Sequence, residues 1–276
     1  MLFLRKKTYS PLDYLQKWWM RLILFTSFAF LYAPILAMMA FSFNDSKRNI
    51  VWRGFTFKYY EKAWNNDSLL EAFINSLTIA GVNMIVGTAL GVMVAILFWR
   101  FRFPFKGAAD GFVALPIVIP EICFGVAMLA FFNRIGWPAD MAWPLSLANI
   151  MIAHITFTFP FVAVIVRARL VGLNRELEYA ALDLGANQWQ VFKDILLPQL
   201  RPAIIAGALI SFTLSLDDFV VTFFTAGPDS ITLPVKIFSM VRFSVTPEIN
   251  AASTILIVIT VFAVLAATLL QKNNQQ

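Results

Sequence analysis

Six long apolar runs dominate the chain, separated by shorter polar stretches. A helix needs about 20 apolar residues to cross roughly 30 Å of hydrocarbon. The pattern therefore predicts transmembrane helices over Leu22–Phe43, Glu71–Trp99, Ala108–Phe132, Pro144–Val166, Pro202–Phe224 and Ala251–Leu270. The first run is too long for the apolar core of a secretory signal, and no small-x-small cleavage site follows it, so it reads as a retained span. Pro34 stands inside it as an expected kink point.

One polar region, 167–201, interrupts this sequence of spans with a different periodicity. Asn174 is placed to cap a helix, Glu176 falls in its first turn and Gly185 is its stop, with Leu177, Ala180/Ala181 and Leu184 sharing a face. Asn187 then caps a second short helix whose Trp189, Phe192 and Ile195/Leu196 share a face, expected to end before Pro198. Periodicity alone leaves two readings of this hairpin: a docking element for a soluble partner, or a helix pair lying on the membrane surface.

Composition agrees with lipid as the solvent. Hydrophobic residues make up 59% of the 276 and charged residues only 14%, against roughly 25% in a soluble domain. The formal charge of +6 comes from loops beside apolar spans rather than from a basic recognition helix, which excludes nucleic acid as the partner. With the N-terminus cytoplasmic, the segments 1–21, 100–106, 167–201 and 271–276 carry 14 of the 22 Lys and Arg, and the outer segments 44–70, 133–144 and 225–250 carry 8. That bias predicts both termini inside and the polar region 167–201 facing the cytoplasm. The chain then divides into a basic N-terminus (1–21), a first span (22–43), an outer loop rich in aromatics (44–70), a core of five spans (71–270) holding the polar loop 174–201, and a tail (271–276).

Candidate chemistry is sparse. A single histidine, His154, and a single cysteine, Cys123, exclude His-cluster and Cys-rich metal sites; Cys123 is expected to be packed, and His154 to bond a neighbouring helix. No glycine-rich phosphate loop is present, so ATP hydrolysis by that route falls outside this chain. Three acids lie inside apolar spans: Glu121, Asp217 and Asp218. Each costs about 2.5–3.5 kcal/mol at a helix centre, and such residues face a pathway or a partner. Pro116 and Pro120 predict a break in the third helix at Glu121, which is tolerated where backbone lines a cavity or is buried in protein. Asp217 and Asp218 are expected on one helix about 100° apart, with Ser211, Ser215 and Thr222 nearby. Carboxylates pair with ammonium groups and aromatic faces attract cations, so a cation path through these residues is one reading, and capping of broken helices or pairing with Arg or Lys of a partner subunit is the other.

The spacing Ala180-Ala181-x-x-x-Gly185, nine residues, then Ile195-x-Leu197-Pro198 is similar to the EAA loop of ABC importer permeases. Further stretches resemble the spermidine/putrescine permease subunits of bacterial ABC importers: LYAPIL (31–36), SFN (42–44), HITFTFPFV (154–162), SFTLSLDDFVVTFFTAGP (211–228), TLP (232–234) and IFSMVRFSVTPEINA (237–251). The resemblance implies an all-α integral membrane protein with the type I ABC importer permease fold, six transmembrane helices and a cytoplasmic coupling loop (174–201). It implies a non-catalytic inner-membrane subunit, without cofactor or metal of its own. The expected partners are a second homologous permease, an ATPase dimer that binds the ATP, and an extracytoplasmic substrate-binding protein. Residues carried over to the ATPase contact are Glu178, Tyr179, Ala180, Ala181, Gly185, Ile195 and Pro198. The family's glutamate before the two alanines is Tyr179 here, with Glu178 one position earlier. Substrate-path candidates are Glu121, Asp217, Asp218, Ser215 and Tyr59, the last at a loop position that is aromatic in these permeases. Another cationic or amine-containing solute, or a metal complex, is the alternative cargo. A proton-coupled carrier or an intramembrane enzyme lacks support, since no internal repeat, catalytic dyad or nucleophile partner for His154 is evident.

Overall fold

The computed structural model describes residues 17–46, 51–136, 145–227, 230–243 and 247–273. The basic segment 1–16, most of the loop 133–144 and the tail beyond Asn273 lie outside the described residues. Helices account for nearly all of the rest, and among the described residues β-structure is limited to one bridge between Asn44 and Phe55. The chain forms two compact units, Met1–Ala63 with Val245–Thr254, and Trp64–Ser244 with Ile255–Gln276.

In the first unit, helix α1 (Trp18–Phe41) runs through Pro34 without interruption and buries none of its side chains. A helix apolar on every side and covered on none requires lipid or another protein around it. The loop that follows is more ordered than its polarity suggests. The Asn44 side chain donates to the Val51 carbonyl and accepts from the Arg53 amide, folding the chain back on itself. Phe43 then packs against Phe55, Phe57 and Tyr60 at centroid distances of 5.1, 5.4 and 4.9 Å. Helix α2 (Lys58–Trp64) closes this aromatic layer.

Lys62 on α2 reaches Glu248, which is buried at the start of the last helix, at 2.6 Å. The carboxylate beside it raises the Lys62 pKa through a hydrogen bond and direct attraction. A raised lysine contributes its stability at neutral pH and below, and loses it only as pH climbs through its own titration. The difference in melting midpoint between the wild type and Lys62→Met should therefore be flat from pH 6 to 9 and shrink above about 10.4. A difference that disappears near neutrality would show that the ion pair contributes nothing.

The second unit is organised around three long helices: α3 (Asp67–Arg100), α6 (Ala148–Val171) and α8 (Gln188–Leu216). Asn66 caps α3, accepting from the Leu69 amide. The helix therefore begins four residues before the expected span, and its 34 residues reach about 51 Å at 1.5 Å per residue, longer than the hydrocarbon is thick. Small residues let these helices close up. A Cβ added at Gly91 on α3 would lie 2.6 Å from Val162 Cβ, and one at Gly207 on α8 would lie 2.8 Å from Val162 Cγ1. Val162 is thus wedged between two glycines. A turn away, Asn83, Thr158 and Ser211 share buried hydrogen bonds: Asn83 donates to the Ser211 carbonyl at 2.9 Å, and Thr158 donates to Asn83 Oδ1 at 2.9 Å. Arg167 of α6 grips Asp110 through Nη1 and Nη2, binding the third span to this core.

Two of the expected spans are broken. The third is a pair, α4 (Lys106–Val118) and α5 (Glu121–Ile135), bent by 108° at Ile119-Pro120, as Pro120 requires. The fifth, expected over 202–224, instead starts at Gln188, ends at Leu216 and resumes as α9 (Val220–Thr225). Four helices among the described residues are long and apolar enough to cross a membrane, and the bent pair makes five. The expected sixth span falls within α11 (Pro247–Asn273), which follows α10 (Leu233–Phe243) and is apolar over Pro247–Phe262. The amide of Leu233 at the head of α10 donates to Ser76 Oγ of α3 at 2.8 Å.

Candidate functional site

The two breaks carry the intramembrane acids. Glu121 is the first residue of α5, where the free amides of a helix start favour a carboxylate. Asp217 and Asp218 occupy the gap between α8 and α9, which corrects the expectation that both sit on one continuous helix. The gap has a local cause: the Asp218 carboxylate accepts from the Val221 amide at 2.9 Å and caps α9, giving the backbone an alternative to helix. Helix α9 packs against α5, with Gly125 providing room for the Phe224 ring. Glu121 lies within electrostatic reach of both aspartates.

The three acids are not equivalent. Glu121 and Asp217 are exposed along the break. The Asp218 side chain is only 8% exposed and is committed to its cap. Beneath it, buried His154 bonds Ser215 Oγ through Nδ1 at 2.8 Å and Thr222 Oγ1 through Nε2 at 2.9 Å. One imidazole therefore spans the gap from α8 to α9. Ser215, expected along the path, is buried with its hydroxyl on His154, so it supports the site from behind.

Tyr59 is also corrected. Its ring is buried in the first unit and its hydroxyl donates to the Ser46 carbonyl at 2.6 Å, which leaves no face free for a solute. Cys123, expected to be packed, is exposed.

The polar region forms the expected hairpin with one change. Helix α7 (Glu176–Asp183) follows Asn174, whose side chain accepts from the Glu176 amide at 2.9 Å. It ends on Gly185 at φ +89°, with Ala186 N–H bonding the Ala181 carbonyl and Gly185 N–H the Leu182 carbonyl, the paired bonds of a glycine-terminated helix. Asn187 and Gln190 exchange side-chain-to-backbone bonds at the start of α8. The second arm does not stop before Pro198. A π-helical turn at Val191–Leu196 leads straight into the membrane helix, and Pro198 falls in the first turn of the α-helical stretch that follows. Proline there lacks a donor that the change of register leaves spare. Val191 and Leu196 are buried against the core, whereas Tyr179, Leu184 and Trp189 are 60, 89 and 67% exposed. Ala180 is exposed and Ala181 half-buried. Glu178 binds Arg100 at 2.9 Å.

A helical membrane unit with two broken spans, an acid-lined gap and an exposed apolar hairpin defines a transport-system membrane component. The chain belongs to the family of binding-protein-dependent transport system inner membrane components, whose model matches residues 87–276; it is a multi-pass inner-membrane protein. It is 38% identical over 251 residues to the spermidine/putrescine transport system permease protein PotC of Haemophilus influenzae, covering 91% of this chain and 95% of that protein. Identity to the putrescine transport system permease protein PotI of Escherichia coli is 41% over 244 residues, 87% of this chain and 85% of that one. The fold matches a chain in the crystal structure of a bacterial ABC transporter involved in the import of the acidic polysaccharide alginate, with a TM-score of 0.73 at 19% identity over 95% of this chain and 96% of that chain.

Proposed function

We propose that the chain is the transmembrane permease subunit of an ATP-driven ABC importer that carries polyamines, spermidine or putrescine, across the inner membrane. The observation that carries the reading is the pair of open carboxylates, Glu121 and Asp217, at two helix breaks packed side by side. A polyamine is a row of ammonium groups joined by methylenes, and it needs both carboxylates and apolar or aromatic walls. Phe219, two residues beyond Asp217, packs at a tilt against Phe223 and Phe238 and offers such a wall. Asp218 and Ser215 hold the gap open with His154. Kinship with PotC and PotI supports the cargo class.

ATP is bound by partner ATPase subunits acting as a dimer. A second permease of similar fold completes the pathway, and an extracytoplasmic binding protein delivers the solute. Both termini are cytoplasmic, following the Lys and Arg bias. The hairpin is the coupling element, presenting Leu177, Tyr179, Leu184 and Trp189 to the ATPase around the close-approach positions Ala180, Ala181 and Gly185, while Ile195 and Pro198 belong to its root.

Replacing Leu184 and Trp189 together by glutamate should reduce ATPase co-purification at least about tenfold, because buried aromatic anchors dominate such contacts and two buried carboxylates would be left unpaired. Membrane insertion should be unchanged, since both side chains are exposed. Undiminished co-purification would overturn the coupling role.

A further inference from the structure

Helix α3 ends on the pair Trp99-Arg100, and both residues hold the hairpin. Arg100 Nη1 donates to Glu178 Oε2 at 2.9 Å, on the first arm. Its Nη2 donates to Gln188 Oε1 at 2.8 Å, on the first residue of the second arm. The Arg175 guanidinium lies 4.4 Å from the Trp99 ring centroid and donates to the Trp99 carbonyl. A planar guanidinium fixes direction as well as distance when it bonds two acceptors at once. The Glu178 side chain is only 12% exposed in this pairing, against 60% for Tyr179 next to it.

We propose that Arg100 is a strap that ties both arms of the hairpin to the end of α3, and that Glu178 serves this internal pairing rather than a charge contact with the ATPase. The proposal rests on the coupling role given above and deepens it. The carboxylate that stands one position off the family pattern is used inside the subunit, and the aromatic Tyr179 is what the partner meets. Because α3 also carries Asn83 and Gly91 into the three-helix core, a displacement of the strapped hairpin moves α3 with it.

The experiment uses the complete complex in proteoliposomes with R100E, E178R and the double exchange R100E/E178R. Amide hydrogen exchange over residues 176–190 and putrescine uptake per ATP hydrolysed are both measured. Each single variant should raise exchange about tenfold and lower uptake per ATP about fivefold. The double exchange should return both to within about twofold of wild type, since the pair is restored with its ends swapped. Unchanged exchange in R100E, or a double variant as impaired as E178R alone, would overturn the strap; the second result is what a direct Glu178 contact with the ATPase produces. Exchange does not depend on cargo. A complex that takes up no putrescine yet shows the restored exchange pattern would support the strap and remove only the cargo assignment. A wild-type chain that fails to co-purify with the ATPase would remove the coupling role itself.

Discussion

Gly91→Ala should cost about 3 kcal/mol or more of stability, toward the top of the range for forcing a methyl group into a packed interior. The new Cβ would lie 2.6 Å from Val162 Cβ and 2.8 Å from the Phe159 carbonyl oxygen. A flexible side-chain tip could yield, but a backbone carbonyl in the middle of α6 cannot. The helices would have to separate, and the contact at Gly207 on the other side of Val162 would loosen with them. Gly81→Ala on the same helix is the control: nothing lies within 4 Å of its added Cβ, and alanine is the better helix former by up to about 1 kcal/mol. Melting in detergent, followed by tryptophan fluorescence, should show a large drop for the first and none for the second. A Gly91→Ala protein that melts with the wild type would mean that these helices are not in the close contact described.

The Glu121→Gln, Asp217→Asn double variant should reduce putrescine uptake by roughly a hundredfold or more. Hydrogen bonds to a charged group contribute about 1.5–3 kcal/mol each, and two are removed from a cation that has shed its water. Both side chains are exposed along the breaks, no side-chain bond caps α5, and Asp217 closes α8 through its backbone amide, so folding and ATPase co-purification should be retained. Each single variant should lose roughly tenfold. Unaltered uptake in the double variant would exclude these carboxylates from the cation path, whatever the cargo of the complex.

Much of this arrangement is legible in the sequence because it depends on local chemistry. Pro120 dictates the bend before Glu121, and Gly185 and Asn187 mark the turn of the hairpin, each through a backbone effect that acts within a few residues. The break at Asp217 carries no such mark. It arises where the Asp218 carboxylate competes for the Val221 amide and where His154, more than 60 residues away, bridges Ser215 and Thr222. A hydropathy pattern contains neither interaction, so the fifth span reads as unbroken. Pro198 misleads in the opposite direction. It looks like a stop, and only the change of register at Val191–Leu196 makes it compatible with a continuing helix. Tyr59 shares the aromatic character of its neighbours, and its burial depends on a loop closed by Asn44. Val162 between Gly91 and Gly207 is a purely tertiary fact.

The absence of a stop at Pro198 has a mechanical meaning. Trp189 on the exposed arm and the gap at Asp217 belong to one rod, Gln188–Leu216, with 29 residues and no loop between its ends. At about 1.5 Å per residue it is roughly 43 Å long. A displacement of the hairpin end meets no loop before that gap, only the π-helical turn at Val191–Leu196 and Pro202. Those two sites and the break beside the carboxylates are where this helix can bend, so movement of the exposed arm and of the acid-lined gap is coupled through a single continuous element.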